Sequence, residues 1–323
     1  MNIAVYILDI IIYIGIFSIV AMSLNLEYGF TGLGNFGKVA FFLIGAYTYA
    51  LLSQAGIPFY LSLICSGISA AIGGLIISLP ALRLREDYLA IVTLTVGEIL
   101  RLIIKTESWI AGGVWGISIK PAISISFPSG FPSYNKILIN SGIQIALIFS
   151  ILALCFVVLQ LLTRSPYGRV MRALRDDELA TETMGKSRAR YKAQVFMLGS
   201  AMAGIAGGLF AQYIRFIDPY MFMPIITFTI WIMSLVGGPA NFTGALLGAA
   251  LVQIFDRGTN IIKDYVTLPI DPVNLQYILF GILILLVLFF RPQGLLRESK
   301  FTTRSLRLTY EKRRSDTQNT QSQ

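Results

Sequence analysis

Residues 142–162 read GIQIALIFSILALCFVVLQLL, and residues 164–185 read RSPYGRVMRALRDDELATETMG. The first stretch carries no charge and has the roughly 20 residues that a helix needs to cross the hydrocarbon core. The second is its opposite: acids and arginines alternate along a short amphipathic pattern, and Gly185 stands where a helix C-cap belongs. An apolar span followed at once by an ordered, charged segment predicts a membrane helix ending at an aqueous face.

The composition of the whole chain points the same way. Of 323 residues, 55% are hydrophobic and 13% charged, with a mean hydropathy of +0.70, whereas an ordinary soluble domain is about 25% charged. There is no histidine, which removes the commonest general base and metal ligand. The two cysteines, Cys65 and Cys155, lie inside apolar runs, so neither a disulfide framework nor a Cys-x-x-Cys metal site is expected.

Further apolar runs cover residues 1–26, 36–53, 58–79, 88–104, 193–214, 225–236, 242–255 and 273–290. With 142–162 they predict an all-α, polytopic bundle of about nine spans (8–10). The first run lacks the basic start and small-residue cleavage site of a secretory signal, so it reads as a retained span. Residues 105–140, rich in Gly, Pro and Ser, read as a loop or partly re-entrant segment. Residues 164–192 hold eight Lys and Arg and residues 291–323 another eight, together 16 of the 26 in the chain. Both therefore read as cytoplasmic under the positive-inside rule, and Arg83 and Arg85 put the end of the third run on that side. The N-terminus is then outside and the C-terminus inside. Topology accounts for the net charge of +9, so no nucleic-acid partner is expected. The expected organisation is a membrane domain over 1–297, with a cytoplasmic loop at 164–192 and a basic, disordered tail at 298–323. Lys312, Arg313 and Arg314 in that tail read as topogenic charges with a weak attraction for anionic membrane lipid.

Several motifs are open to chemical readings. Gly32-Leu33-Gly34-Asn35-Phe36-Gly37 matches G-x-G-x-x-G, but apolar helices flank it instead of a βαβ unit, so a nucleotide is not expected there. Gly29, Gly32, Gly34 and Gly37 instead suit a backbone that bends and packs closely at a membrane surface. Gly199, Ala203 and Gly207, with Gly204 and Gly208, place small faces on one span, as do Gly244 and Gly248 on another; such faces bring helices close. Glu98 and Arg101, three residues apart within a span, can pair on one helix face. Asp9 and Asp256 do not extend them into a proton relay. A secondary carrier would need coupling-ion ligands at depth, where acids are sparse, and a purely structural scaffold would leave the pattern of 169–185 without a purpose.

Taken together, four stretches resemble the branched-chain amino acid ABC transporter permeases of the LivM type. They are residues 23–37 (SLNLEYGFTGLGNFG) with Ala40-Phe41 and Gly45-Ala46-Tyr47; residues 84–94 (LREDYLAIVTL) with Gly97-Glu98-Ile99, Arg101, Gly112-Gly113 and Gly116-Ile117; Gly168-Arg169 through Gly185; and Gly237-Gly238 with Gly244 and Gly248. The similarity runs from about residue 20 to 297. It implies an inner-membrane pore subunit that carries Leu, Ile and Val, with urea or a short amide as the alternative cargo. It also implies a second related permease, two cytoplasmic ATPases and an extracytoplasmic solute-binding protein. No Walker A sequence occurs in the chain, which agrees with ATP being handled elsewhere; no catalytic residue, metal or cofactor is expected. In such importers a cytoplasmic Glu-Ala-Ala…Gly loop passes ATPase closure to the pore. Here those positions read Leu179-Ala180-Thr181 before Gly185, with Glu178 one residue early. The implied coupling loop comprises Gly168, Arg169, Arg172, Arg175, Asp176, Glu178, Ala180 and Gly185, and its charges are expected to govern ATPase association. Implied pore or packing positions are Asn25, Gly29, Gly32, Asn35, Gly37, Glu98, Arg101, Gly237 and Gly238.

Overall fold

The computed structural model describes residues 3–81, 86–121 and 133–265, together with 278, 280–282, 285–287, 289–291 and 293–298. In chain order the helices are α1 (Ile3–Thr31), α2 (Lys38–Gln54), α3 (Phe59–Ala81), α4 (Glu86–Thr106), α5 (Ser108–Ala111), α6 (Ser133–Arg164), α7 (Pro166–Asp176), α8 (Glu178–Thr183), α9 (Arg188–Ile214), α10 (Pro224–Gly237) and α11 (Phe242–Tyr265). Among the described residues, Ala4–Thr31, Phe59–Pro80, Asn135–Arg164 and Arg188–Ile214 are long and apolar enough to cross a membrane, and Pro224–Gly237 is a shorter apolar helix. Arg83, Arg85 and the tail beyond Glu298 lie outside the described residues.

Helix α9 runs through the middle of the bundle because its small residues admit neighbours on two sides. On one side Gly207 abuts the Phe42 carbonyl of α2, and Gly199 abuts the Glu27 carboxylate of α1. On the other, Gly204 lies against Ser66 and Ala70 of α3, and Gly208 lies 3.1 Å, as an added Cβ would measure it, from the Ser66 hydroxyl. Close backbone approach of this kind supplies packing where lipid removes the hydrophobic drive between helices. Helices α10 and α11 meet in the same way, Gly237 against Gly244 and Gly248 against the Met233 carbonyl. Aromatic rings fill the interior between α1, α2 and α9: Phe42 lies 5.2 Å from Phe210 and 6.0 Å from Phe17, centroid to centroid.

Three departures from the sequence reading have local causes. Helix α6 starts at Ser133, not 142, because 133–141 is polar but contains no Pro or Gly; its 32 residues make a rod of about 48 Å, longer than the apolar core it crosses. The charged segment after α6 forms two helices instead of one. Asp177 breaks it with extended backbone (φ −155°, ψ 107°), and its carboxylate accepts the Ala180 N–H at 3.0 Å, capping α8. The otherwise all-α chain also holds two short strands, β1 (Ile117–Ser118) and β2 (Phe216–Ile217), paired antiparallel with Ile117 opposite Ile217.

The two ends of the bundle differ. At one end β1 pairs with β2, and Asp9 accepts a hydrogen bond from Tyr213 and lies 3.4 Å from Arg257. At the other end the C-termini of α1, α6 and α10 and the N-termini of α2 and α11 come together beneath α7 and α8. That second end holds the candidate site.

Candidate functional site

Helix α1 stops at Thr31, where Gly32 takes the left-handed backbone conformation (φ +73°) that carries little strain for glycine. Residues 32–37 are not helical, and α2 restarts at Lys38. Such a break leaves polar backbone and charged side chains inside the protein, so partners are needed. They are present. The Glu27 carboxylate accepts from Lys38 Nζ at 2.7 Å and from Asn35 Nδ2 at 2.9 Å, and both members of the ion pair have fully buried side chains. Asn35 Oδ1 accepts the Gly37 N–H at 2.9 Å, and the Asn35 carbonyl accepts from Trp231 Nε1 of α10 at 3.1 Å. Phe36 stacks on Trp231 with centroids 4.5 Å apart, and its N–H donates to the Thr93 hydroxyl of α4 at 3.1 Å. Gly37 passes so close to the Thr93 carbonyl that a methyl group would not fit. The break thus ties α1, α2, α4, α9 and α10 together at one point.

A second turn lies alongside. Asn25 Nδ2 donates to the carbonyls of Gly238 (2.9 Å) and Asn241 (3.3 Å), and Gly29 abuts the Ala240 backbone. The carbonyls that end α10 are satisfied from the far end of the chain: Leu295 N–H donates to Val236 at 2.9 Å and Leu296 N–H to Gly237 at 3.1 Å. Those bonds answer the orphan acceptors of a helix C-terminus.

Helix α7 sits on these two turns, and α8 packs against α7 and the start of α9. Ser165 caps α7 by accepting the Tyr167 N–H at 3.2 Å, and Gly168 packs on the Thr163 carbonyl, which allows the sharp corner with α6. Met171 and Leu174 are buried. Arg175 points inward: Nη1 donates to the Gly29 carbonyl at 2.6 Å, and Nη2 lies 3.1 Å from Glu298. Arg172 lies over the Phe30 ring at 5.2 Å and 3.5 Å from Glu298. Glu178 turns back to bind Arg188 and Lys192 in the first turns of α9. Burial pushes its carboxyl pKa up, but the hydrogen bonds and positive charges of Lys192 and Arg188 outweigh that, and the group is held below the usual carboxylate range. Arg169, Asp176, Ala180 and Gly185 are exposed, and Leu179 and Met184 offer 74% and 78% of their surfaces outward. Gly185 follows α8 with φ +76°.

Glu98 and Arg101 do pair, with Arg101 Nε donating to Glu98 at 2.9 Å, on the stretch of α4 that leads away from this site: Gly97 still packs on Gly37 and Ala40, whereas Lys105 further along lies over the Tyr220 ring. Asn25, Gly29, Gly32, Asn35, Gly37, Gly237 and Gly238 share the two packed turns; Glu98 and Arg101 do not. Glu27 and Lys38 escaped the sequence reading because each stands at the margin of an apolar run, where an interfacial charge is unremarkable. The signal was there: opposite charges 11 positions apart flanking a glycine-rich break.

A family model described as "Branched-chain amino acid transport system / permease component" matches residues 6–288. A high-affinity branched-chain amino acid transport system permease protein LivM of Salmonella typhimurium is 34% identical over 298 residues, covering 87% of this chain and 68% of the relative. A probable LivM permease of Methanocaldococcus jannaschii is 31% identical over 333 residues, 91% of this chain and 94% of the relative. A probable LivH permease of the same archaeon is 29% identical over 250 residues, 76% and 77% of the two chains. No solved structure matches. A helical membrane chain built on these two packed turns, with this similarity along nearly its whole length, belongs to the branched-chain amino acid transport permease family of the inner membrane.

Proposed function

We propose that the chain is one of two related permease subunits of an ATP-driven importer for Leu, Ile and Val, with the end that carries α7 and α8 facing the cytoplasm. Two soluble ATPases dock there, and a solute-binding protein delivers cargo at the opposite end. Relatives of both the LivM and LivH type match the chain, which supports a paired assembly. The start of the second basic segment lies at the same end as the first, because Glu298 reaches Arg172 and Arg175. That agreement supports an N-out, C-in chain of about nine spans.

The observation that carries the reading is the two-sided character of α7 and α8. Outward, Arg169, Ala180, Leu179, Met184 and Gly185 form an exposed face with two large apolar side chains that nothing among the described residues covers. Inward, Arg175 grips the Gly29 carbonyl two residues from the buried Glu27. The outer face suits a groove on a soluble partner, and the inner contacts suit transmission of its movement to the break between α1 and α2. Gly168, Arg172 and Glu178 hold this platform in place, and Asp176 pairs with Arg175 at its exposed edge.

The two sides separate by experiment in the co-expressed complex. Leu179→Asp with Met184→Asp should lower ATPase co-purification by at least about tenfold, since each apolar side chain contributes about 1.5–3 kcal/mol when buried. Arg175→Ala should keep the ATPase bound while leucine uptake falls and ATP hydrolysis loses its dependence on cargo. Retained ATPase in the double variant would overturn the docking assignment. Competition by valine and isoleucine, but not by urea, is the expected cargo profile.

A further inference from the structure

Beside the α7 platform is a cavity that the transport reading does not use. It has a volume of about 210 Å³ and lies between the C-terminal part of α6, the turn before α11, and α7. Its lining runs from aromatic to cationic. Phe156 stands two turns before Arg164 on α6, about 12 Å along the axis, and Phe30 and Phe242 join it on the apolar side. Arg164 and Arg172 supply two guanidinium groups, and Gln160 adds an amide. Arg172 shares its charge with Glu298 at 3.5 Å, whereas Arg164 is exposed and makes no ion pair among the described residues. No acidic residue is among those described as lining the cavity.

The outer wall matters as much as the lining. Only 17% of the most apolar window of α6 is buried, and Leu154, Val157, Val158 and Leu161 face outward. The cavity therefore borders a helix whose outward face is apolar, at the end where that helix leaves the apolar layer. A ligand that fits must be anionic at the guanidinium end, because a planar fork of donors matches phosphate oxygens. It must also be apolar along the side toward Phe156. A free phosphate satisfies the first demand alone. Basic pockets between membrane helices on the cytoplasmic side suit phospholipid headgroups.

We propose that this cavity binds the phosphate of an anionic phospholipid from the cytoplasmic leaflet, with Arg164 and Arg172 on the phosphate and the aromatic wall along the start of an acyl chain. The leaflet rests on the orientation given above; the site itself does not depend on transport. Its occupant bridges α6, α7 and α11, so bound lipid steadies the platform on which the ATPase docks.

The test uses the assembled complex in detergent, incubated with phosphatidylglycerol or phosphatidylcholine vesicles and examined by native mass spectrometry. Phosphatidylglycerol should be retained about tenfold better than phosphatidylcholine, and Arg164→Gln should abolish that preference while Arg164→Lys keeps most of it. Equal retention of the two lipids, or an unchanged preference in Arg164→Gln, overturns the proposal. If inorganic phosphate binds in an Arg164-dependent way and phosphatidylglycerol does not, the site takes a free anion and the lipid assignment is wrong. A second permease subunit cross-linking to the Gln160→Cys variant in place of lipid retention would likewise overturn it. Retention is read by mass, so a failure of the transport reading appears separately, in uptake.

Discussion

Glu27 and Lys38 show what a charge needs in order to sit inside this protein. Each side chain is fully removed from solvent, and their 2.7 Å contact is supported by Asn35 on the second carboxylate oxygen. Removing one partner of such a pair strands the other, at a cost of about 3–5 kcal/mol, whereas removing both is far milder. Glu27→Gln and Lys38→Met should therefore each lower the thermal stability of the purified chain sharply, and the double variant should recover most of the loss. Glu98 and Arg101 provide the contrast within the same measurement. Their side chains are 32% and 10% exposed, and Arg101 lies five residues from the end of α4, within reach of the interface. Single replacements there should cost less than those at Glu27 or Lys38. Equal losses at both pairs would mean that burial is not what sets the cost.

Among the elements, α8 of the candidate site depends most plainly on its neighbours. Six residues cannot hold a helix in water, since nucleation alone is unfavourable. Two devices secure it: the Asp177 cap at its start, and Glu178 bound to Arg188 and Lys192 of α9. The Glu178 carboxyl is held below its ordinary pKa. Its contribution is therefore fully present above the unfolded value of about 4.3 and is lost as pH falls through the lower, folded value. Hydrogen exchange of the α8 amides, corrected for intrinsic rates, should show constant protection from pH 7 down to about pH 5 and loss only at more acid values. Glu178→Gln should show the unprotected pattern already at neutral pH. Protection that falls between pH 7 and 6 would mean that some other group controls the docking of α8 on α9.

For the molecule as a whole, the two ends should face different compartments. Trp109 and Trp115 are 81% and 88% exposed at the end that carries β1, and Leu179 is 74% exposed at the other. With Cys65 and Cys155 replaced, a membrane-impermeant thiol reagent on intact cells should label Trp115→Cys and not Leu179→Cys; permeabilised cells should label both. Labelling of position 179 in intact cells would invert the molecule and remove the docking face from the ATPases.

How much of this was legible beforehand follows from the range of the forces involved. Membrane-helical architecture was legible because crossing lipid demands long uncharged runs, and 142–162 is one by inspection. The charged segment after it was legible as a platform because charge alternation and Gly185 are local signals, although the break at Asp177 was not: one residue's backbone choice splits a pattern that is continuous in composition. The paired small faces of α9 were visible as spacing, since 3.6-residue periodicity fixes which positions share a side. What met those faces was not visible. That Gly199 accommodates the Glu27 carboxylate, that Trp231 closes over Asn35, and that Arg175 reaches Gly29 and Glu298 depend on residues far apart along the chain. Local composition sets the solvent of each segment, because transfer between lipid and water is a property of the residues in that segment. Which charges are joined is settled by the folded arrangement, because a buried ion must be satisfied by whatever the fold brings within about 3 Å of it.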